Sequence, residues 1–144
     1  MKKAIKWFVI VIIVVGVLFT LLLPIYRKHI LVTEYENMLD SSITYAINYY
    51  EDYKASNDIK NMEMLANELY TYQKVLLRLE EVKNLDEDSM NSLEVNMAIS
   101  VLQGDAESIE GLDKLYEGLK ALQDNVYSDE GYSQFLEFYN QNAE

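Results

Sequence analysis

Hydrophobic and polar positions divide the chain into two unlike parts. From Trp7 to Tyr26 the sequence reads WFVIVIIVVGVLFTLLLPIY, twenty residues without a charge, fifteen of them Val, Ile, Leu or Phe. No polar face interrupts the run. As a helix it spans about 30 Å, the thickness of a bilayer's hydrocarbon core. A lone strand in lipid leaves its backbone unpaired, so the span is expected to be helical. At about −0.3 kcal/mol or better per apolar residue, its insertion is favourable by about 5 kcal/mol. Pro24 removes one helical hydrogen bond near the far end and predicts a kink there.

From residue 30 the pattern changes to steps of three and four, the period of a helix buried on one side. Val32, Tyr35, Leu39, Ile43, Ala46, Tyr50 and Tyr53 predict a helix over about 30–55. Met38, Tyr45 and Tyr49 widen its apolar face, which calls for neighbours on two sides. No Gly or Pro separates Ile25 from Ser56, so the span is expected to run into this helix with little break. Ser56, Asn57 or Asp58 can cap the next helix, about 59–84, whose stripe is Met62, Leu65, Leu69, Tyr72, Leu76 and Leu79. A third helix over about 89–103 follows caps at Asp86, Asp88 or Ser89, with Met90, Leu93, Met97, Ala98, Val101 and Leu102 on its face. Gly104 stands where a C′ residue belongs and Asp105 re-caps. A fourth helix over about 106–125 carries Ile109, Leu112, Leu115, Tyr116, Leu119 and Leu122. A short fifth helix, about 129–140, follows Ser128 or Asp129 and shows Tyr132, Phe135, Leu136 and Tyr139, with a fraying end beyond Asn140.

These elements predict an all-α chain: a single N-terminal transmembrane helix over residues 7–26, then a four- to five-helix bundle or stacked helical hairpins. The division is an anchor, 1–29, and a helical domain, 30–144. The stretch 102–115, LQGDAESIEGLDKL, resembles the inter-helix turn of a tetratricopeptide repeat in Gly104, Asp105 and Ser108 before Ile109. The spacing is one residue short and no second copy follows at 34 residues. The resemblance is what keeps stacked hairpins as the alternative.

Composition sharpens the picture. A secretory signal would share the basic start Lys2, Lys3 and Lys6, but the apolar run exceeds an h-region and no A-x-A-like site follows. The span therefore reads as retained. Lys2, Lys3 and Lys6 outnumber Arg27 and Lys28 on the other side, which places the N-terminus in the cytoplasm and residues 30–144 outside. All 24 acidic residues follow residue 33, against seven Lys and Arg, so the domain carries −17. Such a surface repels nucleic acid and anionic lipid and suits a basic partner.

The chemistry of the chain is sparse. There is no cysteine, and the one histidine, His29, lies at the membrane boundary. These exclude thiol chemistry and make a Ser-His-Asp constellation within one chain unworkable. No phosphate-binding glycine pattern occurs. The acidic run Asp86-Glu87-Asp88 lacks the Gly and Glu that a Ca²⁺ loop needs at its sixth and twelfth positions, where Asn91 and Met97 stand. No enzyme activity, cofactor or metal is expected. Tyrosine is the abundant residue with an interface chemistry, an apolar body and a polar tip. Tyr45, Tyr49 and Tyr70 are the candidate partner-binding residues. Gly111 and Gly118, seven apart beside the Leu stripe of the fourth helix, are candidates for close helix packing. The expected function is a membrane-anchored interaction or scaffold module, an accessory subunit of a bacterial cell-envelope complex, binding a protein partner or itself. The alternative is an extracytoplasmic ligand-binding or sensory domain.

Overall fold

The computed structural model describes residues 2–83, 92–104 and 109–143, with side chains from Trp7 apart from Val9. The described residues form five helices and no strand: α1 (Lys2–Ser56), α2 (Ile59–Lys83), α3 (Ser92–Leu102), α4 (Leu112–Asp124) and α5 (Asp129–Asn142).

α1 is one helix of 55 residues, about 80 Å long. It remains helical through Pro24 and through residues 26–30, where the apolar run meets the amphipathic pattern. Nothing in the sequence there ends a helix. The end comes at Asn57, whose positive φ of 54° and N–H bond to the Tyr53 carbonyl at 2.7 Å make a left-handed stop. Asp58 then accepts the Lys60 N–H at 3.0 Å and starts α2. Both turn residues were legible as caps. The cap candidates Asp86, Asp88 and Ser89 of the third helix, and Asp105 of the fourth, lie outside the described residues.

The bundle uses only the second half of α1. α1 packs on α2 and α4, α2 on α3, α3 on α5, and α5 on α4, closing a ring. Successive helices alternate in direction. Gln73 donates to the Ser92 carbonyl at 3.0 Å while Leu102 lies beside Met62 and Ala66, so α2 and α3 run oppositely. Tyr50 stacks on Tyr116 with centroids 4.7 Å apart and Gln123 reaches Thr44, so α4 descends along α1. A closed ring is a bundle, not a stack of separate hairpins. Its core holds Leu39, Ile43, Leu69, Tyr72, Leu115 and Phe135, all fully buried.

Three sequence expectations change. The fourth helix starts at Leu112 rather than 106, because Gly111 takes φ 65°, outside the helical region, and serves as the N-cap. Gly111 is therefore before α4, not inside it. In α3 the buried face is Ser92, Val95, Ala98, Ile99 and Leu102, while Leu93 is exposed. That helix is apolar nearly all round, so its sequence offers two overlapping stripes. In α5 the buried residues are Tyr132, Phe135 and Phe138, with Leu136 exposed. The helix also runs to Asn142, where fraying was expected. Asn142 Nδ2 donates to the carbonyl of Glu110 at 3.0 Å and its Oδ1 accepts the Glu110 N–H at 2.9 Å, which ties the end down.

The first half of α1 has no such neighbours. Its described apolar side chains from Trp7 to Tyr26 are exposed, save half-buried Leu23. It is long and apolar enough to cross a membrane, by length and composition.

Candidate partner-binding surface

Where α1 enters the bundle, α2 and α4 cover part of its circumference and leave the rest open. On the open side stand Leu31, Met38 and Tyr45, 39%, 43% and 55% exposed. Beside them α1 and α2 form two shallow grooves that meet at Met38. One is lined by Asn37, Met38, Ser41, Ser42, Tyr45 and Glu68. The other is lined by Tyr35, Met38, Lys74, Val75, Leu77, Arg78 and Glu81. Both mix apolar and polar side chains, as contact surfaces do.

The electrostatics of this face differ from the rest of the domain. Lys74 sits 4.1 Å from the centre of the Tyr70 ring, a cation–π contact. Arg78 pairs with Glu81 at 2.8 Å, both well exposed. Burial pushes the Glu68 carboxyl above its ordinary range. In a domain of charge −17, the second groove, with Lys74, Arg78 and Glu81, carries a net +1, while the first has Glu68 as its one charged side chain.

Tyr45 lines the first groove. Tyr70 is exposed on α2 under Lys74 and lines neither groove. Tyr49 is half-buried and packs against the core. The three tyrosines therefore do not form one patch. Met38 belongs to the wide apolar face read from the sequence; Lys74, Leu77 and Arg78, which complete the surface from α2, were not read as part of it. Tyr70, Lys74 and Leu77 do fall at i, i+4 and i+7, a signal available on the polar side of α2.

The close-packing glycines divide as well. A Cβ on Gly118 would stand 2.7 Å from the Phe135 ring and 2.9 Å from the Gly131 carbonyl oxygen, so α4 and α5 approach there almost backbone to backbone. A Cβ on Gly111 would strike the end of Gln141 and be strained by the positive φ. That glycine serves a turn.

Two polar clusters hold the bundle together. Tyr72 and Tyr132 are buried with hydroxyls 2.8 Å apart, and the Val126 carbonyl oxygen lies 3.1 and 2.8 Å from them; with one proton each, one hydroxyl donates to the carbonyl and the other to its neighbour's oxygen. Burial drives both phenols far above their ordinary range. At the end of the bundle nearer the apolar half of α1, the Lys83 ammonium donates to Glu36 at 3.0 Å and to the Tyr127 hydroxyl, which itself donates to Glu36 at 2.8 Å. The Tyr127 hydrogen bond, then that of Lys83, lowers the Glu36 pKa. Glu36, Lys83 and Tyr127 join α1, the end of α2 and the α4–α5 turn. Glu80 is buried, its Oε2 has no hydrogen-bond partner among the described residues, and burial raises its pKa. No group of three or more His, Cys, Asp or Glu among the described residues is arranged to hold a metal ion.

The fold and surface define a class: an all-helical protein in which one helix is both a long apolar arm and a member of a five-helix bundle. Comparison with protein-family models, with curated proteins and with solved structures finds no match.

Proposed function

We propose that the chain is a single-pass membrane protein whose bundle is a non-enzymatic interaction module, an accessory or scaffold subunit of a bacterial cell-envelope complex. Residues 7–26 cross the membrane, the N-terminus is cytoplasmic, and the bundle stands outside. The observation that carries this reading is the uncovered apolar half of α1 continuing without a break into the bundle. So many exposed apolar side chains in water would be strongly unfavourable, and a bilayer removes that cost. The basic residues Lys2, Lys3 and Lys6 at the start support the orientation. The open face around Met38 and Tyr45 supports the binding role.

The test is extraction and protection. The full chain should remain in the membrane pellet after alkaline carbonate and yield to detergent. Protease added outside should remove the bundle and spare a fragment containing residues 7–26. Release by carbonate would end the anchor reading. A bundle protected from outside and cut only after lysis would invert the orientation.

A further inference from the structure

The uncovered face of the bundle and the apolar arm belong to one helix, so their angular positions can be compared. At 3.6 residues per turn, Thr20 and Met38, 18 residues apart, lie about five full turns from each other on one line. Leu31, Met38 and Tyr45 are spaced by seven, which drifts only about 20° per step. Gly16 falls about 40° from the same line, and a Cβ there would meet nothing within 4 Å. One continuous open face thus runs from the middle of the apolar arm to the bundle.

We propose that this face is the seam of a parallel two-fold dimer, and that its occupant is α1 of a second copy of this chain. The inference rests on the membrane-anchored reading. A partner for such a face must follow it both inside and outside the bilayer. A second α1 does so, because two copies anchored in one membrane hold equal residues at equal height. Gly16 and Thr20 then let the helices approach within the bilayer, and Leu31, Met38 and Tyr45 pack outside it at the coiled-coil repeat.

Charge selects the same occupant. The groove flanking Met38 is lined by Lys74, Arg78 and Glu81, with Arg78 paired to Glu81, so it carries one net positive charge and fits one acidic group of a partner. Glu34 is exposed on the flank of the seam, next to Tyr35 of that groove. Under a two-fold axis along the membrane normal, Glu34 of the second copy comes to the side of Met38 that carries this groove, toward Lys74 and the Arg78–Glu81 pair. The contact is self-complementary, as an isologous interface requires.

The absence of native cysteine makes the seam directly readable. Purified full chain in proteoliposomes would carry single substitutions Leu31→Cys, Met38→Cys, Thr33→Cys or Asp40→Cys, all at exposed positions of α1. Circular dichroism melting would show that each variant is folded. On oxidation with copper phenanthroline, positions 31 and 38 should give disulfide dimers several-fold more than positions 33 and 40, which face elsewhere. Equal yields at all four positions, or no dimer at position 38, would overturn the dimer. The same Met38→Cys variant in native membranes separates the two readings. An adduct with a different protein and no dimer overturns the second copy but leaves an interaction module. Release of the chain by alkaline carbonate removes the anchor and the dimer together.

Discussion

The two halves of α1 are made of the same secondary structure and answer to different surroundings. From Trp7 to Tyr26 almost every apolar side chain is exposed. From Leu39 to Tyr50 one side of the helix is buried, with Leu39, Ile43 and Ala46 fully covered. Hydrophobicity alone does not separate them, since the exposed half is the more apolar. Pattern does. A helix apolar on all sides has no solvent face and belongs to a lipid or to the centre of a large core. A helix with one stripe belongs to the edge of a bundle. α1 carries both patterns in register, and the change comes without a cap, a glycine or a turn.

That contrast is broken most violently by a buried charge. Ile43→Asp should destabilise the bundle by several kcal/mol, because it leaves an unpaired carboxylate in the core. Leu18→Asp should leave thermal melting of the detergent-solubilised chain nearly unchanged while loosening membrane retention. Circular dichroism melting and carbonate extraction measure the two effects separately. If both substitutions melted the bundle alike, the halves would not be independent. Leu69→Asp and Leu76→Asp, buried on α2, should behave like Ile43→Asp, and Glu63→Ala, exposed, should matter little.

A glycine pair makes the same comparison at lower energy. Gly118→Ala forces a methyl to 2.7 Å from the Phe135 ring and 2.9 Å from the Gly131 carbonyl. Overpacking of this kind costs about 1–3 kcal/mol, against about 1 kcal/mol gained in helix propensity. Net loss of stability is expected. Gly16→Ala meets no atom in the same chain, so its propensity gain is unopposed there and the bundle should melt as before. A Gly118→Ala variant at least as stable as the parent would show that α4 and α5 part easily.

Protonation probes the bundle more gently, and two carboxylates act with opposite sign. Burial raises the pKa of Glu80 above the ordinary 4.5. The native state then binds its proton more tightly than the unfolded chain, so this group's contribution to stability rises as pH falls from neutrality toward 4.5. Glu36, held low by Tyr127 and Lys83, contributes stability above 4.5 that is lost as pH falls through its depressed pKa. Glu80→Gln should stabilise the chain at pH 7, because it removes the buried charge while keeping the side chain's shape. The gain should shrink as pH falls toward 4.5, where Glu80 protonates by itself. A gain that stayed constant with pH would assign the effect to packing. The same melts of a span variant, Leu18→Asp, should reproduce the parent's dependence on pH.

Helix existence and class were legible because apolar spacing is a local signal. So were the turn at Ser56–Asp58 and the cap at Ser128, whose hydroxyl accepts the Gly131 N–H at 3.2 Å. The start of α4 was not, because the backbone at Gly111 is fixed by Gln141 and by Asn142 on Glu110, 30 or more residues away. The faces of α3 and α5 were legible in part: Ala98, Leu102, Tyr132 and Phe135 are buried as their spacing predicts, but Leu93 and Leu136 are not, because more positions are apolar than the ring can cover and neighbours decide among them. The joining of Tyr72 to Tyr132, 60 residues apart, left no trace in spacing at all. The candidate surface was half legible. Tyrosine abundance pointed to α1, but only packing tells an exposed Tyr45 from a Tyr49 laid against the core.

That last distinction gives the smallest effect and the finest test. Tyr45 is more than half exposed and forms no hydrogen bond to another described residue in the bundle, so Tyr45→Ala should change stability by no more than about 0.5 kcal/mol. Tyr49, one turn further on, is half-buried against core residues, and its truncation removes apolar contact from the bundle itself. Tyr49→Ala should therefore lower the melting temperature measurably, by an amount nearer 1–2 kcal/mol on the scale of about 25 cal/mol per Å² of apolar area lost. The two residues sit on one helix four positions apart and share a side-chain type. Any difference between them is a difference of surroundings. Should Tyr45→Ala melt as early as Tyr49→Ala, Tyr45 would be part of the core, and the open face of α1 would narrow to Leu31 and Met38.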